Sequence, residues 1–100
     1  MPRVYIVNDG GHDFSAAKEF GPFITLSMGT VPKYHTTRML RMFKALKDSE
    51  EEDYLLLSGP ATMNCLACAM FAARHGKLNL LLFQTNEKGE ERYVVRRITL

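Results

Sequence analysis

Residues 8 to 13 place an amide, two carboxylates and an imidazole directly after a short apolar run. Asp9, His12 and Asp13 are the groups in this stretch that could transfer a proton or hold a metal ion. Histidine titrates near neutral pH, and a neighbouring carboxylate can orient its ring. Asn-Asp-Gly-Gly is also the kind of sequence that a tight turn selects. The stretch therefore has two interpretations, a site with His12 as acid or base and a turn that needs glycine.

A second group of small polar residues, Ser58 to Thr62, precedes a long alanine-rich segment. Gly59 permits a tight turn, and the free main-chain amides at the start of a following helix attract anions. The hydroxyls of Ser58 and Thr62 would add donors. The segment lacks the Gly-Lys-Ser/Thr ending of a P-loop and the Gly-x-Gly-x-x-Gly fingerprint of dinucleotide-binding proteins. We interpret it as a simple anion site, with an ordinary helix start as the alternative.

Cys65 and Cys68 are the only cysteines, and two residues separate them. In thioredoxin-like sites such a pair stands at a helix start, where the amides lower the thiol pKa. Here the pair lies inside an apolar helical segment, so we interpret both residues as core residues with free thiols. No set of His, Cys or carboxylate residues has the spacing of a zinc site, and we expect no metal and no cofactor.

The charge pattern changes sign near the middle of the chain. The basic residues are Lys33, Arg38, Arg41, Lys44 and Lys47, and the acidic residues that follow are Asp48, Glu50, Glu51, Glu52 and Asp53. A solvated helix face followed by an acidic turn explains this pattern, and a phosphate-facing surface is the alternative. The net charge of +2 is small for a dedicated nucleic-acid binder, so we expect no nucleic-acid partner.

Length and composition predict one globular domain over residues 1–100. Hydrophobic residues make up 46% of the chain and charged residues 24%, an ordinary balance for a protein with a single core. The first residues lack the long apolar segment of a secretory signal, and no apolar run approaches the roughly 20 residues that span a bilayer. We therefore expect a cytoplasmic protein with no membrane partner.

Hydrophobic patterning predicts an α/β fold. The predicted strands cover residues 3–7, 23–27, 54–57, 78–84 and 92–98, the predicted helices cover 37–47 and 61–75, and a short helical turn covers 15–20. Thr36 or Thr37 is predicted to cap the first helix, and Pro60 to occupy the first position of the second. Because strands alternate with helices, we predict a three-layer, Rossmann-like (flavodoxin-like) sheet. It is mostly parallel, in the order 2-1-3-4-5, with an antiparallel last strand at the edge.

In open sheets of this class, ligands bind beyond the carboxyl ends of the strands, where the strand order reverses. That point lies between the first and third strands, so both polar loops emerge at it. The residues predicted to contact a nucleotide-like anionic ligand there are Asn8, Asp9, Gly10, Gly11, His12, Ser58, Gly59 and Thr62. The second helix is apolar nearly all round, which predicts a cover on its outer side, such as the second copy in a homodimer.

The sequence as a whole resembles a group of small phage-encoded or prokaryotic proteins of unknown function. This resemblance rests on "VYIVNDGGHDF" and on "DYLLLSG" before the alanine-rich helix, and it implies no activity. Residues 53–84 are also similar to the strand, glycine turn, helix and strand of CARF domains, which bind cyclic oligoadenylates. That second resemblance implies contacts from Ser58, Gly59 and Thr62 to phosphate or ribose in a dimer, although Pro60-Ala61 replace part of the family's glycine turn.

Three functions are compatible with these residues. The one that we favour is a homodimeric module that binds a nucleotide-like ligand without catalysis, and substitution of Gly59 or Thr62 is then predicted to abolish binding and preserve the fold. The second is a protein-interaction or viral accessory factor with no small ligand. The third is a cyclic-nucleotide phosphodiesterase, similar to a ring nuclease, in which His12 is the acid or base.

Overall fold

The structure, a computed structural model, describes residues 1–32 and 35–100. The strands are β1 (Val4–Ile6), β2 (Phe23–Thr25), β3 (Tyr54–Leu56), β4 (Lys77–Thr85) and β5 (Glu91–Thr99). The α-helices are α1 (Thr36–Met42) and α2 (Ala61–His75), and the first and second 3-10 helices are Ser15–Phe20 and Phe43–Asp48. Lys33, which the sequence assigns to the basic stretch, lies outside the described residues.

The strands form a single five-stranded sheet in the order β2-β1-β3-β4-β5, which confirms the predicted order. β1 pairs in parallel with β2 and β3, and β3 pairs in parallel with β4. β5 pairs antiparallel with β4 along its whole length, as predicted for the last edge strand. The residues of β1 and β3 are all buried, because these short central strands are covered on both faces.

The two faces of the sheet carry unequal layers. α1, the second 3-10 helix and α2 cover one face, where Tyr5 and Leu55 of the sheet pack against Met39 and Phe71. On the other face the first 3-10 helix packs over a smaller cluster. The fold therefore has the three predicted layers, but the thin layer leaves the end of the β4–β5 hairpin open on its side.

The predicted helix over residues 37–47 consists of two elements. α1 ends at Met42, and the chain continues as the second 3-10 helix. Apolar spacings of three and four residues fit both helix types, so the pattern locates the helix without showing the change. The predicted threonine cap is wrong, because Thr36 is already helical and His35 stands at the cap position with no capping hydrogen bond from its side chain.

α2 has the predicted span, and its inner face buries Met63, Ala67 and Phe71. Pro60 stands at the cap, one position before the predicted one. Within this single chain the outer face of α2 is open: Cys65 is exposed and Cys68 is half-buried, and both thiols are free. The prediction of a core position is therefore wrong for Cys65. Among the described helices, none is both long and apolar enough to cross a bilayer.

Candidate functional site

Asn8, directly after β1, holds the ends of two strands together. The residue is only 4% exposed, and Nδ2 donates to Ser27 Oγ and to the main-chain oxygen of Gly29, each at 3.0 Å. The hydroxyl of Ser27 in turn donates to the main-chain oxygen of Val7 at 2.6 Å. Both amide donors of Asn8 are therefore used inside the protein, where they tie the loop after β1 to the loop after β2.

Ser58 joins the loop after β3 to the same point. Its hydroxyl donates to the main-chain oxygen of Asn8 over 2.7 Å and accepts from the main-chain nitrogen of Asn8 over 3.2 Å. The main-chain N–H of Ser58 donates to Asn64 Oδ1 at 3.0 Å. Asn64 Nδ2 donates to the main-chain oxygens of Gly59 and Pro60, at 3.2 and 3.1 Å. These bonds fix the loop before α2 begins.

Gly59 is required both by backbone conformation and by packing. Its φ of 81° lies in the left-handed region, and a Cβ added there would lie 2.6 Å from Asn8 Cβ. Any side chain at this position must therefore displace Asn8, which is buried. The expectation that Gly59 can be substituted without disturbing the fold is wrong.

A groove of about 320 Å³ opens beside these loops, on the face covered by the first 3-10 helix. Its lining residues are His12, Asp13, Phe14, Leu57, Ser58, Gly59, Phe83, Glu91 and Tyr93. The groove thus combines the loop after β1, the loop after β3 and the turn end of the β4–β5 hairpin. Its volume is at the lower end of the range for small-molecule sites.

Aromatic rings form the apolar part of the groove. Phe83 and Tyr93 are direct partners in the β4–β5 register, and their ring centroids lie 5.7 Å apart at 73°. Tyr93 and Phe14 are buried, but Phe83 is 51% exposed. A large aromatic ring that stays exposed within a concave surface offers a flat ligand ring a stacking partner.

Acidic groups and one imidazole form the polar part. Asp13 Oδ1 accepts from the main-chain N–H of Ser15 at 2.9 Å, and this bond lowers the pKa of Asp13. Burial raises the pKa of Tyr93, and the carboxylates of Glu91 and Asp13 raise it further. His12 is exposed, with its ring edge-on to Phe14 at 6.3 Å. None of the described residues that line the groove is Lys or Arg.

The structure brings some of the predicted site residues together and leaves others apart. His12, Asp13, Ser58 and Gly59 line the groove. The predicted residues outside its lining are Asn8, Asp9, Gly10, Gly11 and Thr62. Asp9 Oδ1 accepts from the main-chain N–H of Gly11 at 2.9 Å, which is a turn contact. Within the described residues, no group of three or more His, Cys, Asp or Glu side chains could hold a metal ion.

Five groove residues were missed from the sequence: Phe14, Leu57, Phe83, Glu91 and Tyr93. Phe83, Glu91 and Tyr93 belong to the hairpin, whereas the rule for open sheets directs attention to the loops of the parallel strands. The available signal was the short turn at residues 86–89, which sets Phe83 opposite Tyr93. Two aromatic residues facing each other at an open sheet edge could have indicated a binding surface.

The strand order and the groove define this chain as a small doubly wound α/β protein with a concave surface at the carboxyl edge of its sheet. The family model described as "Phage Pam3 gp32-like protein" matches residues 2–98, so the chain belongs to this phage family. The resemblance to phage-encoded proteins is confirmed, and the resemblance to CARF domains stays a prediction. No curated protein and no solved structure matches the chain.

Proposed function

We propose that the groove binds a nucleotide-like ligand, with the heterocyclic base against Phe83 and the phosphate directed toward the first turn of α2. The exposure of Phe83 carries this proposal, because 51% of this large aromatic residue is exposed inside a groove. Covering the ring with a flat base would remove apolar area from water and add a stacking interaction.

The charges of the groove support this orientation of the ligand. Asp13 and Glu91 can accept hydrogen bonds from the amino group of a base or from ribose hydroxyls, as acidic residues do in nucleotide-binding α/β proteins. The same carboxylates would repel a phosphate inside the groove. The phosphate therefore belongs beside Gly59, where α2 begins with no side-chain cap and Thr62 is exposed.

The test is isothermal titration calorimetry with AMP, GMP, CMP and UMP, and with adenosine as the probe that lacks phosphate. We expect at least one monophosphate to bind, AMP to bind more tightly than adenosine, and Phe83→Ala to weaken binding by about tenfold or more. Ile98→Ala is the matched control, because Ile98 is also a half-exposed apolar residue of the hairpin but does not line the groove. Equal affinities of the two variants, or no binding of any probe, would overturn the proposal.

A catalytic function has one specific observation in its favour, the exposed position of His12 at the groove. Of the other two catalytic candidates, Asp13 is bonded to Ser15 and Asp9 lies outside the groove lining. A cyclic-nucleotide phosphodiesterase would therefore depend on His12 as its acid or base. In that case His12→Ala loses turnover of a cyclic nucleotide and retains binding, whereas unchanged turnover removes His12 from the mechanism.

A further inference from the structure

The outer surface of α1 and the second 3-10 helix carries a cation row, which consists of Arg38, Arg41, Lys44 and Lys47. These residues recur at every third position and all are exposed. In a 3-10 helix three residues complete one turn, so Lys44 and Lys47 lie directly in line. Among the residues that the structure describes, none of the four forms an ion pair.

An acidic turn follows the cation row without interruption. It consists of Asp48, Glu50, Glu51 and Glu52, and all four are exposed. Within the described part of the chain, the ion pair of this turn is the contact between Glu51 and Lys77 at 4.0 Å. A strongly basic surface and a strongly acidic surface therefore lie end to end along one segment.

The charges of this segment only partly follow the order that a helix favours. A helix dipole stabilises acidic residues at the N-terminus and basic residues at the C-terminus. Arg41 and Lys47 stand in the last turns of α1 and of the second 3-10 helix, as the dipole favours, whereas the first turn of α1 contains no acidic residue and the second 3-10 helix ends at Asp48. The dipole therefore explains two of the four cations and does not explain the acidic turn.

We propose that this surface pairs with the same surface of a second copy. In an antiparallel arrangement about a two-fold axis, each cation row faces the acidic turn of the other copy. A two-fold interface requires this kind of self-complementarity. A nucleic acid would use the cation row, but the acidic turn would repel it, so a second copy explains both surfaces.

A charge-swap experiment on the full chain tests the pairing by native mass spectrometry. One variant is Arg38→Glu/Arg41→Glu, and the other is Glu50→Lys/Glu52→Lys. We expect a dimer for the unmodified chain and, for each variant alone, a dissociation constant raised by about 100-fold or more, because like charges then face each other. An equimolar mixture of the two variants restores complementarity, so it forms a heterodimer.

Glu19→Lys/Glu87→Lys is the control, because both glutamates are exposed and lie outside the charged segment. It has the same change of net charge as the acidic-turn variant and should stay dimeric, and circular dichroism checks that every variant is folded. Three results overturn the proposal: a monomeric unmodified chain, a dimer that neither reversal weakens, or a mixture without heterodimer. A monomer that binds a short DNA duplex with steep salt dependence would assign the cation row to nucleic acid instead.

Discussion

The hydroxyl of Ser58 makes two hydrogen bonds to the main chain of Asn8, one as donor at 2.7 Å and one as acceptor at 3.2 Å. This double contact joins the loops that follow β1 and β3, the adjacent strands at which the strand order reverses. It fixes the two walls of the groove relative to each other. The polar residues at the switch point thus position the groove, and the hairpin beside them supplies its aromatic surface.

Ser58→Ala removes both of these bonds and leaves two polar groups of Asn8 without this partner. We expect the free energy of unfolding to fall by about 1–3 kcal/mol, the typical effect of leaving buried polar groups unsatisfied. Urea denaturation measures the change, and Thr30→Ala at an exposed position is the control. Equal stability of the two variants would show that the double contact does not hold the loops.

Gly59→Ala and Gly89→Ala separate a steric clash from backbone strain. Both glycines have a left-handed φ, which is 81° at Gly59 and 79° at Gly89. A Cβ added at Gly89 would have no atom within 4 Å, whereas a Cβ added at Gly59 would lie 2.6 Å from Asn8 Cβ. We expect about 1–2 kcal/mol of destabilisation for Gly89→Ala. Gly59→Ala should cost about 1–3 kcal/mol more, because it also overpacks the loop. Thermal denaturation of both variants measures the difference, and a Gly59→Ala protein no less stable than Gly89→Ala would contradict it.

Tyr93 should ionise later than an ordinary tyrosine as the pH rises. Burial raises the pKa of Tyr93 above 10.0, so the folded state favours the protonated phenol. The protonated phenol contributes fully to the free energy of unfolding below the pKa of Tyr93 in the unfolded state, which is about 10. That contribution is lost as the pH rises through the higher pKa of Tyr93 in the folded state. Burial also raises the pKa of Tyr5, so the unmodified chain should have at least two late-ionising tyrosines. In an alkaline absorbance titration, the Tyr93→Phe protein should show one late-ionising tyrosine fewer and keep the late ionisation of Tyr5. The loss of an early-ionising group instead would contradict this assignment.

The two thiols should differ in reactivity. Cys65 is exposed, whereas burial raises the pKa of the half-buried Cys68 and so reduces its thiolate fraction at neutral pH. In the folded protein we expect iodoacetamide to modify Cys65 first, as measured by peptide mass spectrometry. Cys65→Ser and Cys68→Ser each leave one thiol, so the modification rate of each cysteine can be measured alone. In urea the two modification rates should become similar, because unfolding exposes both thiols. Faster modification of Cys68 in the folded protein would contradict the described burial.

The order of the strands could be predicted from the sequence because periodicity, turn residues and connection rules agree. The buried apolar runs of β3 and β4, the helix between them and the short turn after Thr85 leave few topologies. The change from α1 to the second 3-10 helix at Phe43 could not be predicted, because the apolar residues on either side satisfy both periods.

The candidate site could be predicted only in part, since a polar residue at a strand end has the same pattern whether it faces a ligand or the protein. The sequence predicts that Asn8 contacts a ligand, and the structure shows that its Nδ2 donates to Ser27 and Gly29 within the protein. The exposure of Phe83 depends on how little of that sheet face the first 3-10 helix covers, which is a property of tertiary packing.

Calorimetric titration of AMP, GMP, CMP and UMP into the unmodified chain, Phe83→Ala and Ile98→Ala tests most directly whether the groove is a nucleotide site. If a base stacks on Phe83, at least one monophosphate binds the unmodified chain and the Ile98→Ala protein alike, and Phe83→Ala loses about tenfold or more in affinity for it. If every monophosphate that binds does so equally to all three proteins, or if none binds, the groove is not a nucleotide site.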